Sequence, residues 1–312
     1  MAPPPPNAAA APWCAAADLH FQLNNEGQTI LQGGATAPLR LQRNRLQSDG
    51  RCELPLLHTA GGLVGGDQLR INLHLQPGSR ALVTSVAAQK VYGSRGRSRL
   101  HPQGRWARLE LLAQLGAGAD LEWLPQETLV FAGGLLEQRQ TILLEPGASW
   151  LGTEVVRLGR TAAGEGLGEG CWRSSLELRR GDHWQLVDRL QLQGEALQSA
   201  HGMAGEPVFA SLVWAAPHPL EPTVLLQLLE QGRQDRSGLP GEMALGSLEQ
   251  GVIARYRGPS SQAARFWFTR LWARIRAVRG LPPPELPRVW PFQEQPFHIE
   301  ASASKASGAG QS

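Results

Sequence analysis

The sequence feature that most constrains the fold is a recurrent pattern of strand, glycine-containing turn and strand. The pattern occurs in INLHLQPGSRALVTSV, LELLAQLGAGADLEWL, QTILLEPGASWLGTEVV and SLELRRGDHWQLVDRLQL, at separations of roughly 30 to 40 residues. Apolar residues alternate along each arm, which predicts half-buried strands. Such units cannot bury a face singly, so the sequence predicts a mainly β fold with a stacked β-helix-like or sandwich-like scaffold.

The C-terminal third predicts a smaller α/β portion. PTVLLQLLEQGR has a short helical pattern, MALGSLEQGVIARY predicts two strands, and PSSQAARFWFTRLWARIRAVRG predicts the longest helix. Ser260 or Ser261 can cap that helix, and Gly280 closes it. We therefore divide the chain into a disordered leader (1–18), a stacked β scaffold (19–205), an α/β portion packed on the scaffold (206–292) and a disordered tail (293–312).

The longest predicted helix is amphipathic. Its apolar face carries Phe268, Leu271, Trp272 and Ile275. Five arginines surround that face: Arg265, Arg270, Arg274, Arg276 and Arg279. This pattern predicts a core-facing helix with solvated arginines, or else a basic helix that docks an acidic partner.

Composition excludes several classes of protein. The chain has 312 residues, 42% of them hydrophobic, and a net charge of +3, so it can bury a core, and its dispersed basic residues disfavour nucleic-acid binding. Three scattered cysteines argue against a disulfide framework. MAPPPPNAAAAPWCAAA lacks the charged start and leucine-rich centre of a signal peptide, and no stretch is apolar enough to span a membrane. We expect a cytoplasmic protein.

The segment LHTAGGLVGGDQLRINLHL combines paired glycines with one acid. It lacks the Gly-Lys-Ser/Thr ending of a phosphate loop and the spacing of a dinucleotide fingerprint, and a strand follows it, not a helix. Gly61, Gly62, Gly65 and Gly66 therefore predict a backbone bend that delivers Asp67 to the start of a strand. Asp67 is either a turn acid bound by backbone N–H groups or a weak oxygen ligand for a passing cation.

Enzyme chemistry has limited support in the sequence. No G-x-S-x-G elbow is present, and the eight histidines lack the spacing of a fixed transition-metal site. Paired carboxylates for glycoside hydrolysis remain an alternative, because β-helical proteins can carry such pairs across a cleft. The candidates are Glu122, Glu127, Glu154, Glu165 and Asp188.

Several motifs together resemble the urease accessory protein UreD family, called UreH in some bacteria. They are HTAGGLVGGDQL, SVAAQKVYGS, LEWLPQETLVF, RLGRTAAGE, VDRLQL and PRVW, in that order over roughly residues 19 to 292. Three positions depart from the family pattern: Thr59-Ala60 replaces Pro-Pro after His58, Gly93 replaces a common Arg, and Ala132 replaces an Asp in the turn FAGG.

The resemblance implies a non-catalytic chaperone for urease maturation. It implies a complex with the accessory proteins UreF and UreG and with apo-urease, transient nickel without a permanent metal site, and GTP used by the partner GTPase. By motif, the acids placed on a nickel route are Asp67, Glu154, Asp188 and, more weakly, Glu165. The residues assigned to the scaffold or to an interface are Gly61, Gly62, Gly65, Gly66, Lys90, Tyr92, Arg288 and Trp290.

Overall fold

A computed structural model describes residues 12–291 and 294–298. In chain order its strands and helices are β1 (Cys14–Leu23), β2 (Thr29–Ala35), β3 (Leu39–Leu41), β4 (Arg45–Leu46), β5 (Cys52–His58), β6 (Gln68–Leu75), β7 (Arg80–Ser85), β8 (Gln89–Val91), β9 (Ala107–Leu115), β10 (Asp120–Leu124), β11 (Thr128–Val130), β12 (Leu135–Leu144), β13 (Ser149–Leu158), β14 (Cys171–Arg180), β15 (His183–Leu192), β16 (Val208–Ala215), α1 (Pro222–Gln234), β17 (Glu242–Leu248), β18 (Gly251–Gly258) and α2 (Ser261–Val278).

The strands form two facing sheets, and the chain alternates between them. The first sheet has the order β15-β14-β12-β9-β6-β1-β2, and the second has the order β17-β18-β16-β13-β10-β7-β5-β3. Neighbours from β1 to β14 in the first sheet, and from β5 to β13 in the second, are parallel. The first three strand–turn–strand units thus cross from one sheet to the other, which confirms the predicted mainly β fold and favours its β-helix-like form. The fourth unit is an antiparallel hairpin of β14 and β15 within the first sheet.

Stacked turns hold one edge of this coil in register. The turns QPGS, GAGA and EPGA each contain a glycine with positive φ, at Gly78, Gly118 and Gly147, a conformation that costs glycine little. Gly78 donates its N–H to the carbonyl of Ala117 at 2.9 Å, and Gly118 donates to that of Pro146 at 3.0 Å. Each turn therefore satisfies backbone groups of the next turn.

Apolar residues from both sheets fill the space between them. Leu19 and Leu73 of the first sheet, and Leu54 and Leu121 of the second, have no exposed surface. The second sheet is also covered on its outer side, where α2 packs against β13 and β16. Because both faces of the second sheet are covered, β10 and β13 are almost continuously buried, unlike the alternating strands of the first sheet.

The predicted C-terminal elements are present. α1, β17, β18 and α2 follow the predicted order, and the Ser260 side chain accepts a hydrogen bond from Ala263 N at 3.1 Å, as a cap should. β16 and β18 extend the second sheet from β13, so that sheet continues across the predicted domain boundary at residue 205, which stays a prediction.

Two predicted boundaries are wrong by a few residues. The strand β1 begins at Cys14, so residues 14–18 belong to the first sheet and not to a disordered leader. Within the predicted tail, the carbonyls of Pro296 and His298 accept hydrogen bonds from Arg270. Pairing with β6 and contact with an arginine fix these segments, and neither interaction has a sequence signature. The predicted disorder of residues 1–11, 293 and 299–312 lies outside the described residues, as does residue 292, the predicted end of the α/β portion.

The prediction that the arginines of α2 are solvated is wrong for two of them. Arg270 and Arg276 are almost fully buried. Arg270 donates to backbone carbonyls, and Arg276 pairs with carboxylates of the scaffold. Among the described residues, no helix is long and apolar enough to cross a membrane.

Candidate functional site

A cavity of about 310 Å³ lies within the coil, bordered by strands of both sheets. Much of its wall is apolar, from Leu56, Leu69, Ile71, Leu109 and Leu111. Its polar lining residues are His58, Thr84, Ser85, Gln89, Lys90, Gln126, Thr128, Gln138 and Gln140. A space of this size with polar groups in its wall can hold several water molecules.

One wall of the cavity carries His58 at the end of β5. Its Nδ1 contacts Gln89 Nε2 at 3.2 Å, while its buried Nε2 has no hydrogen-bond partner among the described residues. Burial lowers the pKa of His58, against a raising effect from Asp67. The imidazole is therefore neutral near pH 7, and because its Nδ1 accepts a hydrogen bond from the Gln89 amide, its proton lies on Nε2.

Asp67 is buried beside this wall and is bound by backbone groups. Its Oδ1 accepts a hydrogen bond from Trp13 N at 2.9 Å, and its Oδ2 accepts one from Val64 N at 2.8 Å. Asp67 thus ties β1 to the glycine segment, as a turn acid would. Its predicted place on a nickel route stays a prediction.

The four glycines allow close approach of this segment to its neighbours. A Cβ on Gly65 would lie 2.1 Å from Ser94 Oγ, and one on Gly62 would lie 2.5 Å from the Tyr92 ring. Gly61 and Gly66 have φ of +76° and +104°, which other residues rarely adopt. The predicted bend is therefore present, and Gly61 and Gly62 border the cavity directly.

Glu154 lies beside the cavity and connects the two sheets. It belongs to β13, and its carboxylate accepts hydrogen bonds from Gln140 Nε2 at 3.2 Å and from Ser174 Oγ at 3.1 Å, both in the first sheet. Gln140 in turn lines the cavity. Asp188, on β15, is close enough to influence Glu154 electrostatically but is paired with Arg255 at 2.5 Å.

Burial raises the pKa of Glu154 to about 7, and Asp188 adds to the rise. The Ser174 and Gln140 hydrogen bonds and the charge of Arg255 act in the opposite direction. Near neutral pH this carboxyl therefore exchanges its proton readily, so a cation can compete for its oxygens. The structure thus brings two of the four predicted acids together.

Glu165 occupies a surface loop of its own. It accepts hydrogen bonds from Arg160 Nε and from Ala132 N, both at 2.9 Å. Arg160 and that backbone contact lower the pKa of Glu165. Ala132 is the position at which the sequence departs from an expected Asp, and an acid from another loop contacts its backbone. The predicted metal role of Glu165 stays a prediction.

The four remaining motif residues make scaffold contacts. Lys90 lines the cavity from β8, and Tyr92 donates its hydroxyl to Gly61 O at 3.3 Å. Arg288 donates to Arg43 O at 2.7 Å, and Trp290 donates to Thr84 Oγ1 at 3.0 Å. The last two contacts fasten the segment after α2 to the scaffold.

The carboxylates considered for glycoside chemistry do not line an open cleft as a pair. Glu122 is buried and contacts Arg276 at 3.1 Å and Arg51 at 3.5 Å. Glu127 faces Arg265 at 3.5 Å. Trp123, the neighbour of Glu122 in the sequence, is buried. Because guanidinium groups occupy these carboxylates, they are poorly suited to general acid–base work.

Glu122 belongs to a buried network of three carboxylates and three arginines. Its members are Asp49, Arg51, Asp120, Glu122, Arg276 and Arg279. Burial opposes ionisation of Asp120, but Arg51 and Arg279 outweigh it and hold the pKa of this carboxyl well below its usual range. Burial raises the pKa of Glu122, against Arg51 and Arg276.

Sequence reasoning missed the side chains that complete the Glu154 site. It did not select Gln140, Ser174 or Arg255, and it treated His58 only as a motif residue. Gln138 and Gln140 lie two apart on β12 in an otherwise apolar alternation, and both are buried. Two inward-facing amides on one strand are the signal that could have indicated a polar interior.

Comparison with known proteins decides the family. The model of the UreD urease accessory protein family matches residues 14–291. The chain belongs to the UreD urease accessory protein family. It is 64% identical over 283 residues to a urease accessory protein UreD of Synechococcus sp. strain RCC307, covering 91% of both chains. It is 60% identical to one of Prochlorococcus marinus strain MIT 9313, covering 89% of this chain and 87% of the relative.

Family membership confirms the functional class predicted from the motifs. The chain is a urease accessory protein of a non-catalytic family that acts in urease maturation and metallocentre assembly. The carbohydrate-active enzyme alternative is not favoured. The cavity and its polar neighbours are therefore features of an accessory protein and not of an enzyme active site.

Proposed function

We propose that this UreD protein promotes the GTP-dependent insertion of nickel into apo-urease, in a complex with UreF and UreG. The GTP is used by the partner GTPase, and nickel is the cargo and not a resident cofactor. The prediction that the chain acts in the cytoplasm belongs to the same proposal. Membership of the UreD family supports it.

The observation that carries the proposal is the internal cavity next to Glu154. It combines a neutral imidazole, amide side chains and a carboxyl group with a pKa of about 7. Imidazole, amide and carboxyl groups suit a borderline divalent ion. Among the described residues His58 and Glu154 belong to no cluster of three potential metal ligands, which favours passage over tight chelation.

Within this proposal the four predicted acids have different roles. Glu154 contacts the nickel ion. Asp188 raises the pKa of Glu154 and pairs with Arg255, whose charge would lower that pKa. Asp67 supports the cavity wall through its hydrogen bonds to β1 and the glycine segment. Glu165 shapes the loop around Ala132.

The test is complementation of a urease operon that lacks this gene. Cells receive the wild-type gene, Glu154→Gln, Asp67→Ala or the exposed control Glu145→Gln, and the nickel content and activity of purified urease are measured. We expect deletion to leave nickel-free urease and the wild type and Glu145→Gln to restore it. We expect Glu154→Gln to reduce nickel loading several-fold, because an amide is a weaker ligand than a carboxylate.

Co-purification of UreF with each variant separates a transport defect from loss of the complex. A Glu154→Gln protein that holds UreF but loads little nickel supports the route. Normal nickel loading by that variant would remove Glu154 from it. Normal loading in the deletion strain would overturn the proposed function altogether.

A further inference from the structure

Three potential metal ligands meet on the outer face of the first sheet. Asp18 and His20 lie two residues apart on β1, so their side chains share one face of the strand. The parallel register of β1 and β6 places His74 directly opposite His20. Leu69 and Ile71 of β6 line the internal cavity. By alternation, His74 points to the other side of the sheet.

The three side chains are arranged closely around one point. Asp18 Oδ1 lies 3.2 Å from His20 Nε2 and 3.4 Å from His74 Nε2. The two imidazole rings stack with centroids 4.6 Å apart and an angle of 12° between their planes. One ligand atom from each of the three residues lies within 4.8 Å of the others.

These separations match those of ligands that share a metal ion. Two ligand atoms held about 2.0 to 2.1 Å from a tetrahedral ion are about 3.3 Å apart. An ion between the three groups would also offset the carboxylate charge and leave coordination positions open to water. Two imidazoles and one carboxylate favour first-row transition metals over Mg²⁺ or Ca²⁺, which prefer all-oxygen sites.

We propose that Asp18, His20 and His74 form a surface site for a divalent transition-metal ion such as Ni²⁺ or Zn²⁺. The side chains of Asp18, His20 and His74 are 61%, 47% and 28% exposed, so the ion enters directly from solvent and exchanges with it. The site is on the opposite side of the sheet from the cavity. Its existence does not rest on the proposed function in urease maturation.

Isothermal titration calorimetry of the full chain, without an affinity tag, tests the site with NiCl₂ and with ZnCl₂. We expect the wild type to bind one equivalent that is absent in His20→Ala/His74→Ala. We expect Asp18→Asn and each single histidine variant to weaken binding at least tenfold. His183→Ala, an exposed histidine on β15 of the same sheet, should bind as the wild type does.

Circular dichroism and thermal unfolding show whether each variant keeps the fold, as exposed substitutions should. The proposal is overturned if the double variant binds either ion with the stoichiometry and affinity of the wild type. It is equally overturned if the wild type binds neither ion at one equivalent. If the double variant no longer binds metal at the surface site but still gives urease with a normal nickel content, the surface site exists in the wild type and is separate from the route through the cavity.

Discussion

Two regions of this protein bury carboxylates and compensate them in different ways. In the network beneath α2, the carboxylates Asp49, Asp120 and Glu122 are matched by arginine side chains at 2.5 to 3.5 Å. Beside the cavity, the side-chain hydrogen bonds that Glu154 accepts from the described residues come from a hydroxyl and an amide, and the nearby Arg255 is paired with Asp188.

The difference distinguishes carboxylates that have a structural role from a carboxyl group that is available to bind a ligand. A carboxylate enclosed by guanidinium groups has its oxygens occupied and is costly to disturb. Glu154, whose hydrogen-bond partners are neutral, has a pKa close to neutral pH. A proton or a cation can therefore bind to this carboxyl group and leave it again. The region beside the cavity is therefore the one in which a carboxyl group can bind a transported ion.

The largest effect should come from placing an unpaired charge in the apolar core beneath α2. Leu271 on α2 is 1% exposed, so Leu271→Asp buries a carboxylate without a partner and should cost several kcal/mol of unfolding free energy, enough to prevent folding. Leu226→Asp on α1 is the matched control, because Leu226 is 66% exposed. Solubility and circular dichroism distinguish the two, and a native-like Leu271→Asp protein would show that this face is not core.

Removal of an arginine from the network should be the next largest effect. Arg276→Ala leaves Glu122 and Asp49 without their main partner and should cost about 3 to 5 kcal/mol in urea denaturation. Arg189→Ala, which removes an exposed partner of Glu177, should cost at most about 1 kcal/mol.

A compensating variant sharpens this test. Glu122→Gln added to Arg276→Ala removes the uncompensated charge and should recover part of the lost stability, since an unpaired buried charge is the main cost. If the double variant is no more stable than Arg276→Ala, packing of the arginine and not charge pairing holds α2 in place.

The carboxyl beside the cavity should behave in the opposite way. Folding raises the pKa of Glu154 from 4.5 to about 7, so the native state holds a proton that the unfolded chain has released. The free energy of unfolding therefore falls as pH rises from 4.5 to 7. Glu154→Gln should thus be more stable than wild type by about 3 kcal/mol at pH 8 and nearly equal to it at pH 4.

Denaturation of both proteins across this pH range measures the difference directly. The exposed substitution Glu145→Gln should follow the wild-type curve at every pH. A constant difference between Glu154→Gln and wild type would mean that folding leaves the affinity of this carboxyl for protons unchanged, and the contrast between the two regions would be lost.

The smallest effects concern the glycines of the segment before Asp67. A Cβ on Gly61 meets nothing within 4 Å, so Gly61→Ala should cost only the strain of a positive φ, about 1 kcal/mol. Gly65→Ala should cost about 2 kcal/mol, because its Cβ would clash with Ser94 and with the Arg105 carbonyl. Thermal unfolding checks the order, and equal costs would contradict the predicted close approach.

The features that the sequence predicted correctly are those that depend on residues close to one another in the chain. The repeated turns QPGS, GAGA and EPGA mark one edge of the coil, and the alternation of strands such as β6 identifies their buried face. Ser260 and Gly280 mark the ends of the last helix with the same reliability, because caps act within a few residues.

Contacts between distant segments could not be read in this way. Arg276 resembles a surface residue by its position on an amphipathic helix, yet its partners are 154 and 227 residues away in the chain. Asp18 and His20 gain His74 as a neighbour only through the register of β1 with β6. The sequence contains each of these residues in plain view, but which of them contact one another depends on how the successive turns of the coil stack.

The arginine network also has a consequence for the order in which the chain is made. Asp49, Asp120 and Glu122 leave the ribosome long before Arg276 and Arg279, and Arg51 alone accompanies them. During synthesis the scaffold therefore carries an excess of negative charge where α2 will bind. That charge is neutralised only after α2 has emerged, so the charge balance of the scaffold depends on a segment that is made much later.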